Sequence, residues 1–171
     1  MFDAKYENFG FEVHDVTDPT NWFLDTRNQT FIFADKYVQM DLKIPSWNVY
    51  GFGDRYTEFK LLPGAYNMWA SGKDPQVDNG KGRGGLSGVH PFVMFETNQK
   101  RRFVGLFFRN SAAMTPVITY NNDGTGLISL ISIGGDIDVQ IFVKGTAKEV
   151  IEEYHRYIGY PRLPPYWSLG W

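Results

Sequence analysis

A mainly β fold with one helix near the C-terminal end is what this sequence predicts, and three features carry that reading. Phe 14, Tyr 10 and Trp 5 stand beside Gly 18 and Pro 9, a composition that favours short aromatic and β-branched strands separated by turns. Short apolar runs bounded by turn formers recur along most of the chain. A single stretch, starting at Thr146, switches to helical spacing.

Taken in order, residues 30–34 (TFIFA), 37–42 (YVQMDL), 92–95 (FVMF) and 103–108 (FVGLFF) each read as a strand. Residues 116–120 (PVITY), 126–131 (GLISLI) and 136–143 (DIDVQIFV) continue the pattern. Between the first two of these, Asn121-Asn122-Asp123-Gly124 is a strong hairpin turn. The alternation of polar and apolar residues from Asp136 to Phe142 predicts a strand with one face in the core. A helix over 147–158 follows. Thr146-Ala147-Lys148-Glu149 is a capping box, in which the hydroxyl and the carboxylate can satisfy each other's orphan backbone N–H groups. Val150, Ile151, Tyr154, Tyr157 and Ile158 then recur at helical spacing, and Gly159 with Pro161 supplies the stop.

The chain has 171 residues, 43% of them hydrophobic, enough for one core burying roughly 70% of the unfolded surface. Net charge is −2 and no long run of like charge occurs, so neither a nucleic-acid partner nor a polybasic membrane contact is indicated. Lys100-Arg101-Arg102 lies between two strand-like segments and reads as a solvated turn. No apolar run reaches the roughly 18 residues of a membrane-spanning helix, and the first residues carry no leader pattern. The absence of cysteine excludes disulfides and thiolate chemistry. His14, His90 and His155 are dispersed and form no ligand pair, so no metal is expected. Asn28-Gln29-Thr30 is a glycosylation sequon, meaningful in a secretory compartment.

Several segments carry a family resemblance, and they do so in order. Residues 33–40 (FADKYVQM) and 50–54 (YGFGD) resemble FADQFLQL and YGLGE of the family 31 glycoside hydrolases. Residues 86–92 (LSGVHPF) resemble LYGSHPF, and 105–114 (GLFFRNSAAM) resemble GVFLLNSNAM. Residues 133–139 (IGGDIDV) are similar to the strand before the family's helix, and 157–171 (YIGYPRLPPYWSLGW) to its passage into a (β/α)8 barrel. The upstream segments look closest to the eukaryotic lysosomal, intestinal and plant-type α-glucosidases.

The resemblance implies a twisted antiparallel β-sandwich of the galactose-mutarotase-like kind over 1–145, with strands of the family's sandwich ahead of the matched residues. It implies a helix and linker over 146–171 leading to a catalytic barrel. Retaining glycoside hydrolysis needs two carboxyl groups about 5–5.5 Å apart, and in the family both are aspartates of the barrel, beyond Trp171. This chain is then expected to be non-catalytic by itself. The parent enzyme would act on α-glucosides of the maltose type without a cofactor, in a secreted, lysosomal or other lumenal compartment.

In the family a sandwich loop reaches over the barrel mouth and shapes the subsite for the leaving sugar, through an aromatic-Asn-x-Asp pattern. Residues 68–75 (MWASGKDP) match it, with Ala70 in place of Asn and a spacing about two residues longer. The resemblance therefore assigns Asp74 as an acceptor for sugar hydroxyls, with Asp78 as its alternative, and Trp69 as either a stacking platform or a core residue. Gly72, Gly80, Gly82, Gly84, Gly85 and Gly88 make this a glycine-dense loop; it lacks the pattern of a phosphate-binding loop. A free-standing carbohydrate-binding sandwich is the alternative reading of the chain, against which the aromatic segment 164–171 speaks.

Overall fold

The computed structural model describes residues 9–69, 86–97 and 102–170. Its elements in chain order are β1 (Glu12–His14), β2 (Trp22–Asp25), β3 (Phe31–Ala34), β4 (Tyr37–Ile44), β5 (Val49–Gly51) and β6 (Gly64–Ala65). They continue with β7 (Phe92–Glu96), β8 (Phe103–Phe108), β9 (Val117–Tyr120), β10 (Gly126–Ser132), β11 (Val139–Lys144) and the helix α1 (Ala147–Ile158), ending in a 3-10 turn at Tyr166–Leu169.

The strands form two antiparallel sheets. The larger runs β1-β2-β4-β10-β9-β6, with β3 also paired to β4, and the smaller runs β11-β8-β7-β5. Long strands pair deepest, β10 on β4 from Gly126↔Ile44 to Ser132↔Val38. The turn at 121–125 closes β9 onto β10 as the sequence predicts, with Gly124 at φ 86° and the Asn121 N–H on the Thr125 carbonyl at 2.8 Å.

Period-two alternation sets what each strand buries. On β4, Val38, Met40, Leu42 and Ile44 are buried between the sheets, and Tyr37, Gln39, Asp41 and Lys43 take the opposite face. On β8, Val104, Leu106 and Phe108 face the same core. Phe103 and Phe107 point the other way, into a second cluster with Phe92, Phe142, Val150 and Tyr154. That cluster is how α1 packs on the outside of the smaller sheet. Gly105 makes the close approach possible, because a Cβ there would lie 2.6 Å from Val150 Cγ1.

The helix has the predicted bounds and ends at Gly159, whose N–H reaches the His155 carbonyl at 2.8 Å. Its cap differs from the capping-box expectation in one bond. The Glu149 N–H donates to Thr146 Oγ1 at 3.2 Å, but the Glu149 carboxylate accepts from the Thr146 hydroxyl at 2.9 Å instead of from a backbone N–H.

Two further expectations are corrected. The strand predicted over 136–143 begins only at Val139. Asn110 Nδ2 holds the carbonyls of Gly134 (2.9 Å) and Asp136 (3.2 Å), and Gly135 at φ 81° turns over the Asn110 side chain, so the first residues of that segment are bent away from pairing. Trp22, Trp47, Trp167 and Trp171 are also expected from the sequence to be packing residues, but of these the described ones do not fill the core: Trp22 is half-buried and Trp47 and Trp167 are exposed, as is Trp69, while Tyr66, Phe52, Phe95 and aliphatic residues occupy the centre.

Candidate functional site

One end of the sandwich gathers an exposed tryptophan and two cavities. β6 delivers the chain to Tyr66, fully buried, with its N–H on the Pro116 carbonyl at 2.8 Å. Met68 follows, bridged antiparallel to Met114, its N–H on the Met114 carbonyl at 2.9 Å. Between them Asn67 is held twice, its carbonyl by Arg55 Nη2 at 3.2 Å and its Oδ1 by the Thr115 hydroxyl at 3.1 Å. Arg55 also donates from Nε to the Phe52 carbonyl, and its guanidinium lies 5.3 Å from the centre of the Tyr66 ring. The backbone leading to Trp69 is thus pinned on three sides.

Trp69 itself stands out with 68% of its surface exposed. A residue so exposed is not part of the core. It borders a cavity of about 360 Å³, shared with Val89, Pro91 and the Asn110–Ala113 turn. It also borders a second cavity of about 310 Å³, shared with Tyr37, Asn67, Thr115 and Ile133. Both volumes lie at the small end of the range of ligand sites, roughly 300–1,000 Å³.

Asp74 and Asp78, with most of the glycine-dense loop, lie outside the described residues. Tyr37, Asn67, Thr115 and Arg55 are brought to this end by the fold, and of these only Tyr37 falls in a segment that the sequence singles out, residues 33–40. For Tyr37 a signal existed: the alternation of β4 puts it with Gln39 and Asp41 on the face opposite the core.

Elsewhere the structure joins groups that are far apart in sequence. His90 Nε2 meets the Tyr154 hydroxyl at 2.7 Å, and partial burial together with the charge of neighbouring His155 lowers the His90 pKa. Three carboxylates move the other way from a general acid. Asp123 is held below the usual range by hydrogen bonds from Thr125, Asp138 by one from Gln140 and by Arg109, and Glu153 by Lys144 and Arg156. Among the described residues no cluster of three or more His, Asp or Glu could hold a metal ion, and no helix is long and apolar enough to cross a membrane.

Residues 3–115 match a family model described as the glycosyl hydrolase 31 N-terminal galactose mutarotase-like domain. The chain is 31% identical over 153 residues to human probable maltase-glucoamylase 2, covering 86% of the chain and 6% of the relative. It is 31% identical over 177 residues to human intestinal sucrase-isomaltase, covering 99% of the chain and 9% of the relative. It is 29% identical over 147 residues to mouse lysosomal alpha-glucosidase, covering 86% and 15%. The chain therefore spans a small fraction of the length of the relatives it matches. A family 31 alpha-glucosidase from Bacteroides thetaiotaomicron shares the fold at TM-score 0.62 and 21% identity, over 78% of this chain and 21% of that one. The ER glucosidase II heterodimeric complex does so at TM-score 0.62 and 20% identity, over 86% and 18%.

Proposed function

The chain belongs to the glycosyl hydrolase 31 N-terminal galactose mutarotase-like family, and from that premise we propose that it is the non-catalytic N-terminal domain of a retaining α-glucosidase. In this reading residues 1–145 form the sandwich and 146–171 the helix and linker into a catalytic barrel. The parent enzyme removes α-linked glucose from maltose-type oligosaccharides, and the sandwich lends a loop to the subsite of the leaving sugar. The observation that carries the reading is Trp69, 68% exposed on a pinned backbone beside two cavities.

The chemistry divides accordingly. A retaining glycosidase needs one carboxyl group to attack and one, with its pKa raised, to protonate the leaving oxygen. Asp138 is paired with Arg109, Glu153 with Lys144 and Arg156, and Glu152 with Lys148. These pairs occupy three carboxylates of the sandwich and helix, in keeping with the resemblance, which assigns the two catalytic carboxyl groups to the barrel. An indole beside the loop offers a flat apolar face to a sugar ring, and Asp74, or Asp78 in its place, an ionised acceptor for its hydroxyls.

The surface that would meet the barrel is the segment after α1. Tyr160, Leu163, Tyr166, Trp167 and Leu169 are 62–92% exposed, a density of apolar side chains that soluble surfaces avoid unless they are covered. A lumenal or secreted compartment fits the relatives named lysosomal and intestinal. Asn28 agrees with it, being exposed in the turn after β2 where a glycan can be attached.

The test uses the full-length polypeptide and its kinetics on maltose. Trp69→Ala and Asp74→Ala are each expected to raise KM about three- to thirtyfold, the loss of one stacking contact or one charged hydrogen bond. Unchanged kinetics in both variants would remove the subsite role and leave the sandwich as a scaffold.

A further inference from the structure

The two cavities flank one indole, and the second has features that a plain surface hollow lacks. Its far wall is Tyr37, 40% exposed on the outer face of β4. Exposed tyrosines are common and need no explanation, but this one is tethered. Its hydroxyl donates to Gln39 Oε1 at 2.6 Å, and Gln39 Nε2 donates to Asp41 Oδ1 at 2.9 Å. Asp41 is only 6% exposed, so the relay runs from an anchored carboxylate out to the phenol. Ordering a surface side chain costs conformational entropy, and a ring already ordered spares a ligand that cost.

The floor between the two aromatics is mixed in the same sense. Met114, Ile131 and Ile133 are apolar, and Ile133 is 62% exposed with nothing over it among the described residues. Asn67 spends its Oδ1 on Thr115, which leaves its two amide N–H donors without a partner among the described residues. Thr115 has given its proton to Asn67 and keeps its oxygen lone pairs as acceptors. Two aromatic faces, a pair of N–H donors and a hydroxyl acceptor, set in an apolar hollow of about 310 Å³, match the surface of a pyranose: an apolar C–H face with hydroxyls around its edge.

We propose that the groove between Tyr37 and Trp69 is a second sugar site, which takes a further glucosyl unit of an α-linked glucan beyond the leaving-sugar subsite. The inference rests on the reading of Trp69 given above. It adds a consequence that reading does not have, a dependence on chain length. A disaccharide ends before the groove, whereas a longer oligosaccharide continues into it.

The experiment compares kcat/KM on maltopentaose with kcat/KM on maltose in the full-length polypeptide. For Tyr37→Ala the ratio of the two is expected to fall about three- to tenfold, the value of one aromatic stacking contact. Tyr37→Phe, which keeps the ring, is expected to restore most of it, an outcome that a purely structural role for the hydroxyl relay would not give. Asn67→Asp keeps the acceptor for Thr115 and removes both N–H donors, so it is expected to lower the ratio in the same direction even if Tyr37→Ala fails to fold. A ratio unchanged in Tyr37→Ala and Asn67→Asp, while Trp69→Ala still raises KM on maltose, overturns the second site and leaves the first standing. No effect of Trp69→Ala on either substrate overturns the stacking role of Trp69, and the second site with it.

Discussion

His90 shows how one residue can couple a loop to a distant helix. Its ring stacks at 5.9 Å on Phe92, lies 5.5 Å from the ring of Tyr154, and bonds the Tyr154 hydroxyl, with His155 its neighbour from the same helix. Both partial burial and His155 lower its pKa, so the neutral form belongs to the folded state. The sign follows: with a folded pKa below the ordinary 6.5, the unfolded chain binds the proton more readily. Stability is then fully present above about pH 6.5 and falls as pH drops from there through the folded pKa. Urea midpoints measured between pH 8 and pH 5 are expected to decline over that window, and His90→Gln to decline less. Equal slopes for the two proteins would mean that other groups set the acid limit.

At the scale of elements, α1 and β8 are fitted to each other through a missing side chain. Gly105 lies under Val150, which is fully buried, and a Cβ there would also come within 2.9 Å of the Phe92 ring. Gly105→Ala must push the helix outward or the ring aside, and overpacking of this kind costs about 1–3 kcal/mol. Chemical denaturation is expected to show that loss, together with weaker amide protection along α1 than in the larger sheet. A variant as stable as the parent would mean that the helix shifts freely. The same pairing explains why β8 carries large residues on both faces: Leu106 and Phe108 serve the inter-sheet core and Phe103 and Phe107 the helix.

For the whole molecule, the division of labour has a direct consequence. In the proposed reading both catalytic groups lie in the barrel; on this chain Asp138, Glu152 and Glu153 are tied to Arg109, Lys148 and Lys144, and the carboxyl groups that are shifted are shifted down, away from a general acid. The 171-residue chain by itself is expected to release no product from a chromogenic α-glucoside above the buffer rate. Hydrolysis above that rate would place catalytic groups within this chain and end its reading as a non-catalytic domain.

Strand positions and the helix were legible in the sequence because they rest on local alternation, turn chemistry and a capping box, which neighbours in the chain decide. β3, β4, β7, β8, β9 and β10 fall where the pattern of apolar residues puts them, as does α1. β1, β5 and β6 have only two or three residues, too few for a pattern, and β2 is not singled out by its pattern either; pairing across the sheet defines all four. The late start of β11 depends on Asn110, 26 positions before Asp136 in sequence, and no local signal carries that. Family membership came from ordered motifs, and with it Trp69 as a candidate. What only the tertiary structure decided is the setting of that tryptophan: Arg55, Tyr37, Asn67 and Thr115 lie on four different segments and meet at one end of the sandwich. A binding surface is a property of distances across the fold, and those exist only once the sheets have closed on each other.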